Sequence, residues 1–280
     1  MRSESLGTLL AVGGLFVYGV EPLVIGSNSN DPVSFAVLSA LFASILLAPF
    51  AAFEWRKDNV PLTPAKLGKA SLVGLFGTAL AYLAYAVGTK LSTPVNAAVL
   101  TRSEVLWSFF LSWVFLRERI TARLAAYSAL ILIGILSVIV PGKGLSPHAG
   151  DLLLVLVPLF WQISHVIAKG LPYSPVVIST IRNASGFLFL FPVALLRGVE
   201  FIPLAIAEGF IIAVGQLIWY ASIKRINLSK ATAIITPAPA VAMAAALLTG
   251  GALTPADLLG FLLITAGTLG ATREKSEVRT

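Results

Sequence analysis

Ten apolar runs of about 20 residues, each ended by a short polar breaker, constrain this chain more than any other feature. They cover 6–25, 33–53, 67–88, 94–116, 122–140, 152–168, 176–196, 202–223, 231–249 and 255–271. The breakers are turn formers: Ser27-Asn28-Ser29-Asn30-Asp31-Pro32, Pro141-Gly142-Lys143-Gly144, Ser174-Pro175 and Thr249-Gly250-Gly251. A run of this length at 1.5 Å rise per residue crosses a bilayer as a helix. Composition agrees: 57% of the residues are hydrophobic and 12% charged, against about 25% charged in soluble domains. So much apolar surface does not fit a water-soluble core. The chain is expected to be an all-α integral membrane protein with ten transmembrane helices.

The first run resembles a signal peptide only in length. Arg2 is its one basic leader, and no A-x-A cleavage signal follows. It is expected to remain a helix of the bundle. The net charge of +7 reads as topology rather than as nucleic-acid binding, because the basic residues cluster in particular loops. With the N-terminus inside, fifteen of the twenty Lys and Arg fall on the inner side, among them Arg56, Lys66, Arg117, Lys169, Lys224 and Arg273. Lys90, Lys143 and Arg197 fall outside, and Arg102 and Arg182 lie within runs. The positive-inside rule then predicts cytoplasmic termini and an even number of spans, and the expected location is the plasma membrane. With no cysteine, disulfides, thiolate metal sites and cysteine nucleophiles are excluded.

The two halves overlay. At an offset of 143, Pro32 falls on Pro175, Pro49 on Pro192 and Ala51 on Ala194. At 135, Tyr85 falls on Tyr220 and Thr101 on Thr236. At 133, Thr121 falls on Thr254, Ile131 on Ile264 and Gly134 on Gly267. Five helices per unit is odd, so the second unit enters upside down. The expected domains are 1–145 and 146–280, two inverted five-helix repeats with a short cytoplasmic tail. Inverted repeats mark secondary transporters, whose substrate site lies between the repeats near the midplane.

Each half also carries a small-residue helix, a polar turn and a glycine-bearing last helix. In the first half Ser103-Glu104-Val105-Leu106-Trp107 runs to Leu116-Arg117-Glu118-Arg119-Ile120-Thr121. In the second Thr236-Pro237-Ala238-Pro239-Ala240 runs to Leu253-Thr254-Pro255. Together with ten helices and the repeat, these motifs resemble the EamA-type branch of the drug/metabolite transporter superfamily. Arg182 resembles an arginine frequent in the second helix of such a unit. Where members often have Trp-Gly, this chain has Tyr18-Gly19 and Trp161-Gln162. The resemblance implies a ten-helix carrier, commonly an exporter of amino acids or other small metabolites, without bound cofactor.

Eight residues are candidates to line the cavity: Tyr18, Glu21, Asn96, Glu104, Trp161, His165, Gln216 and Tyr220. Tyr18 and Glu21 share a helix face, and Trp161 repeats the geometry with Ser164 and His165 three and four residues on. Each copy offers an aromatic plate beside a polar group, suited to an amphipathic small-molecule substrate. Glu21 has a second reading as a solvated helix end, and His165 as a packing residue. Asn96, Leu100, Glu104 and Trp107 form one stripe, from which Glu104 faces a cavity or bridges to a neighbouring helix. Arg102 points elsewhere around that helix, which argues against a simple Arg102–Glu104 pair. Ionisable groups inside a span cost roughly 2.5–3.5 kcal/mol each, so they are kept for a reason. Glu21 and Glu104 motivate an expectation of proton coupling. Gln216 and Tyr220 lie one turn apart beside Trp219, which either joins the cavity or anchors the membrane interface. Pro237 and Pro239 break their helix and free carbonyls for a ligand. Gly74, Gly77, Gly260, Gly267 and Gly270 are expected at close helix contacts. Arg117-Glu118-Arg119 reads as a solvated turn.

A membrane enzyme would want a clustered catalytic set. His148 and His165 are far apart, and no phosphate-binding loop occurs. The reading is therefore a carrier rather than an enzyme. A scaffold or receptor is the alternative, though the loops are too short for a separate binding domain. Substrate identity, direction and oligomeric state are not written in the residues.

Overall fold

The computed structural model describes residues 2–58, 61, 63–92, 94–140, 147–238, 240–241 and 254–277. The breakers 141–144 and 249–251, Pro239, and the domain boundary at 145/146 lie outside the described residues.

Ten helical runs occur among those residues, one for each apolar run of the sequence. α1 is Arg2–Gly26, α2 Pro32–Asp58 and α3 Pro64–Lys90. α4 begins as Pro94–Leu100, tightens at Thr101–Ser103 and continues as Glu104–Phe115. α5 is Ala122–Ile139, α6 Asp151–Lys169, α7 Pro175–Arg197 and α8 Leu204–Ile223. α9 begins as Leu228–Ile235, and α10 is Pro255–Arg273. α1, α2, α3, α6, α7 and α8 are each long and apolar enough to cross a membrane. The chain is a multi-pass membrane protein.

Local chemistry sets the helix ends. Pro32 and Pro175, matched in the sequence overlay, both occupy the first position of their helices, where the missing N–H is not needed. Thr121 caps α5 by accepting from the N–H of Leu124 at 3.0 Å. Thr254 stands in the same place before α10, its carbonyl accepting from the N–H of Leu258 at 3.2 Å.

The main helix contacts are symmetric. α1 packs on α8 and α6 on α3, α2 on α8 and α7 on α3, and α4 on α6 and α9 on α1. The equivalent pairs α2–α7, α4–α9 and α5–α10 also meet. Exchanging each helix for its counterpart five places along carries each of these contacts onto another of them or onto itself.

The α5–α10 crossing gives direction as well. A Cβ added at Gly134 would lie 2.9 Å from Ile264 Cγ1, and one at Gly267 would lie 2.7 Å from Ile131 Cγ1. As α5 advances from 131 to 134, its facing residue on α10 retreats from 267 to 264, so the helices run antiparallel. α2 and α7 do likewise. Asp31, just before α2, pairs with Arg197 at the end of α7 at 2.7 Å. In a bilayer such crossings gain only dispersion and packing, which is why glycine permits them.

Both ends of the described chain lie at one end of the bundle, where the N–H of Ser276 donates to Glu4 Oε1 at 2.7 Å. That end is tied by a network centred on Glu118. Its carboxylate accepts from Lys169 Nζ at 2.9 Å, from the N–H of Leu228 at 2.7 Å, and from Ser229 N at 3.0 Å and Oγ at 2.7 Å. The solvated turn expected at Arg117-Glu118-Arg119 is thus corrected at its centre. Glu118 is 1% exposed, because it supplies the acceptors that the start of α9 and Lys169 need. Arg117 and Arg119 stay exposed, the latter paired with Glu277 at 3.2 Å. Nearby, Lys230 Nζ meets Glu4 Oε1 at 3.4 Å.

Candidate functional site

A cavity of about 590 Å³ lies among α1, α2, α3, α4, α6, α7, α8 and α9, so both halves of the chain build it. It reaches the surface beside Asn28 and Asn30, at the end away from the termini. Thr101, Arg102, Glu104, Ile235 and Ala238 line it from α4 and the end of α9. Beyond them Ser108 Oγ donates to Thr232 Oγ1 at 2.9 Å, joining α4 to α9 between cavity and termini.

Irregular backbone lies in or beside the wall at three places. α3 widens to a π turn over Leu75–Leu80. α4 tightens at Thr101–Ser103, where Thr101 Oγ1 bonds Ala97 O at 2.8 Å and Ser103 Oγ bonds Leu100 O at 2.7 Å. After α9 the N–H of Ala240 turns to Pro237 O at 2.8 Å. Irregular helix at membrane depth is tolerated where protein meets the freed carbonyls. Here arginines do. Arg102 Nη1 donates to Thr236 O at 3.2 Å, and Arg182 Nη2 donates to Gly77 O at 2.6 Å. The carbonyl freed near Pro237 is therefore held by the protein's own Arg102.

Arg182 is the most connected polar group in the cavity. It also donates to Tyr220 Oη at 3.0 Å and to Thr78 Oγ1 at 3.4 Å. Its approach needs glycine at 77, where a Cβ would stand 2.4 Å from Ser164 Oγ and 3.1 Å from Arg182 Cζ. The resemblance pointed to Arg182, but no residue-level pattern had marked it as part of the site.

Three carboxyls share the space. Glu104 Oε1 accepts from Gln162 Nε2 at 3.0 Å, with Arg102 as an electrostatic neighbour. Glu21 lines the wall within the field of Arg182. Glu208 is 1% exposed, has Glu21 as its carboxyl neighbour, and receives no donor on either oxygen from the described residues. The sequence reading passed over Glu208. Its signal was an acidic residue in the middle of the run 202–223, the same signal used for Glu104.

Six of the eight expected residues stand in the wall: Tyr18, Glu21, Glu104, Trp161, His165 and Gln216. Gln216 is held by Asn183, whose Nδ2 donates to its Oε1 at 2.8 Å. The other two lie outside this lining. Tyr220 lies behind the wall, fully buried, because its hydroxyl serves Arg182. Asn96 bonds Asp151 Oδ1 and Oδ2 at 3.0 Å each, tying α4 to the start of α6. Trp219 is a cavity residue, buried to 2%, with its ring centroid 4.9 Å from that of His165. Ser164 fastens α6 to α3 through Val73 O at 2.8 Å. Tyr82 and Tyr85 complete an aromatic lining. No group of three His, Cys, Asp or Glu suited to a metal ion occurs among the described residues.

Comparison with known proteins agrees with this architecture. The profile of the EamA-like transporter family matches twice, over residues 5–140 and 148–273. An uncharacterized transporter, YyaM of Bacillus subtilis, is 24% identical over 71% of this chain and 70% of its own length. An uncharacterized transporter of Methanothermobacter thermautotrophicus is 24% identical over 58% of this chain and 52% of its own. A WAT1-related protein of Arabidopsis thaliana is 33% identical over 43% of this chain and 36% of its own. A solved crystal structure superposes with a TM-score of 0.82 at 17% identity, over 96% of this chain and 99% of that one, which establishes the shared fold.

Proposed function

The chain belongs to the EamA-like transporter family, and on that footing we propose that it carries small metabolites such as amino acids across the membrane, as an exporter, by alternating access. The cavity shared by both halves, open at one end of the bundle and sealed toward the other, carries this reading. Its volume suits a ligand of amino-acid to drug size. Aromatic rings beside carboxyls and amides suit an amphipathic solute.

The two halves, 1–145 and 146–280, are inverted repeats that rock about the cavity. Antiparallel packing of α2 on α7 and of α5 on α10 supports this. The distribution of Lys and Arg supports a plasma-membrane protein with both termini in the cytoplasm. The open end then faces outward, and the Ser108–Thr232 contact and the Glu118 network form the closed inner side. Protons couple the cycle through the cavity carboxyls.

The chain has no cysteine, so single reporters need no background removal. With Cys in place of Phe35, on the wall near the mouth, a membrane-impermeant thiol reagent should label cells from outside. With Cys in place of Ser108, labelling should be slow at rest and accelerate from the inside as substrate cycles. Counterflow of a panel of amino acids in proteoliposomes identifies the cargo. Failure of every panel member to exchange, with labelling at 108 unchanged by any of them, refutes the carrier reading.

A further inference from the structure

The charges of the cavity do not balance. Arg102 neighbours Glu104, and Arg182 neighbours Glu21. Glu208 is left over. It has no donor among the described residues, and its nearest charged partner in the wall is another carboxyl. An unpaired carboxylate away from water is strongly disfavoured. Two carboxylates side by side in such a place do not both stay ionised. The site therefore calls for one positive charge that the protein does not supply.

The arginines do not supply it. Arg182 spends its donors on Tyr220, Gly77 and Thr78, and Arg102 spends its Nη groups on Thr236 O and Thr101 Oγ1. Other titratable groups of the wall are Tyr18 on α1, Tyr82 and Tyr85 on α3, Glu104 on α4 and His165 on α6. α2 and α9 contribute Phe35, Ala36, Ser39, Ile235 and Ala238, none of them titratable. Tyr18, Tyr82, Tyr85, Trp161 and Trp219 line the same wall, and aromatic rings can stabilise a cation.

Resting on the reading of this cavity as a transport site, we infer that the Glu21–Glu208 pair is a one-charge exchange site, holding either a proton or the ammonium group of an apolar or aromatic amine. When the ammonium enters, the carboxyl O–H breaks and its proton leaves to the water of the cavity mouth. One positive charge departs as one arrives. Cargo and proton thus exclude each other, which makes the carrier an exchanger of amines, amino acids included, for protons.

The test uses purified full-length protein in lightly buffered detergent micelles near neutral pH. Tyramine and tetramethylammonium are the probes, and a soluble pH indicator reports protons. Close to one proton should be released per bound tyramine. Glu208→Gln should release none and bind tyramine about tenfold more weakly or worse. Glu21→Gln, a second probe of the pair should the first variant misfold, should also release none. Glu200→Gln, exposed and outside the cavity wall, should behave as the parent. Binding without proton release, binding that requires sodium instead, or no binding of either probe overturns the exchange site. Counterflow in proteoliposomes separates the two readings. Exchange of any amine, amino acid or sugar without proton movement leaves a carrier but removes the exchange site. No exchange of any solute removes the carrier reading.

Discussion

Glu118→Ala tests how the closed end is held. The parent carboxylate receives four hydrogen bonds, from Lys169, from Leu228 N and from Ser229 N and Oγ, and is itself 1% exposed. Removing one member of a buried ion pair costs about 3–5 kcal/mol. The lower end applies, because the Lys169 side chain is 21% exposed and keeps Ile226 O as an acceptor at 2.7 Å. Two N–H groups at the start of α9 are also left unmet, adding about 1 kcal/mol each. The sum is about 5 kcal/mol. At about 2 °C per kcal/mol for a chain of this size, Tm should fall by about 10 °C. The assay is thermal unfolding in detergent, followed by intrinsic tryptophan fluorescence. Glu277→Ala is the comparison. It breaks an ion pair whose side chains are 67% and 43% exposed, worth under about 1 kcal/mol. Equal small losses in the two variants would refute the assignment of Glu118 as the tie between α4, α6 and α9.

Two further outcomes follow from packing and charge. Gly267→Ala places a Cβ 2.7 Å from Tyr127 O and Ile131 Cγ1, and Gly134→Ala places one 2.8 Å from Gly260 O, so each should cost about 1–3 kcal/mol. Both push the same crossing apart, so the double variant should lose less than the sum, and simple additivity in thermal unfolding would contradict the shared contact. Asp31 lies in the loop before α2. Burial pushes its carboxyl up, but the N–H of Ser34 and the Arg197 guanidinium outweigh that and hold it below the usual range. A depressed carboxyl stabilises the fold above its unfolded value and loses that contribution as pH falls through the folded one. Asp31→Asn should therefore cost up to about 1 kcal/mol at neutral pH. The gap to the parent should close below about pH 4, and a gap that widens on acidification would refute the pairing.

The number of helices, their order and the duplication were legible because hydropathy and turn chemistry are local. A run such as 176–196 cannot hide its backbone from lipid in any other form. Pro32 and Pro175 mark helix starts because each directly follows a polar breaker, whereas Pro49 and Pro192 lie inside those helices. Glu21 and Glu104 were legible for the same local reason, since a charge within an apolar run has a cost that position alone reveals. Glu208 obeyed the same rule and was passed over.

What the residues could not tell is which way each side chain faces. In water, a polar stripe marks the outside of a helix. In lipid, the outer face and the packed face are both apolar, so the stripe is weak or missing. Asn96 and Glu104 share a stripe, yet one ties helix ends and the other lines the cavity, because α4 changes pitch at Thr101–Ser103 between them. Tyr220 and Gln216 share a stripe too, and Arg182 draws the tyrosine hydroxyl behind the wall. Glu118, charged and flanked by arginines, carried every local mark of a solvated turn. Only the arrival of Lys169 and the start of α9 buries it. The sequence by itself determined that this chain is ten helices in two related fives. Tertiary packing alone decided which charges meet, because those contacts join residues 51 to 110 positions apart across helices with no outward face to read.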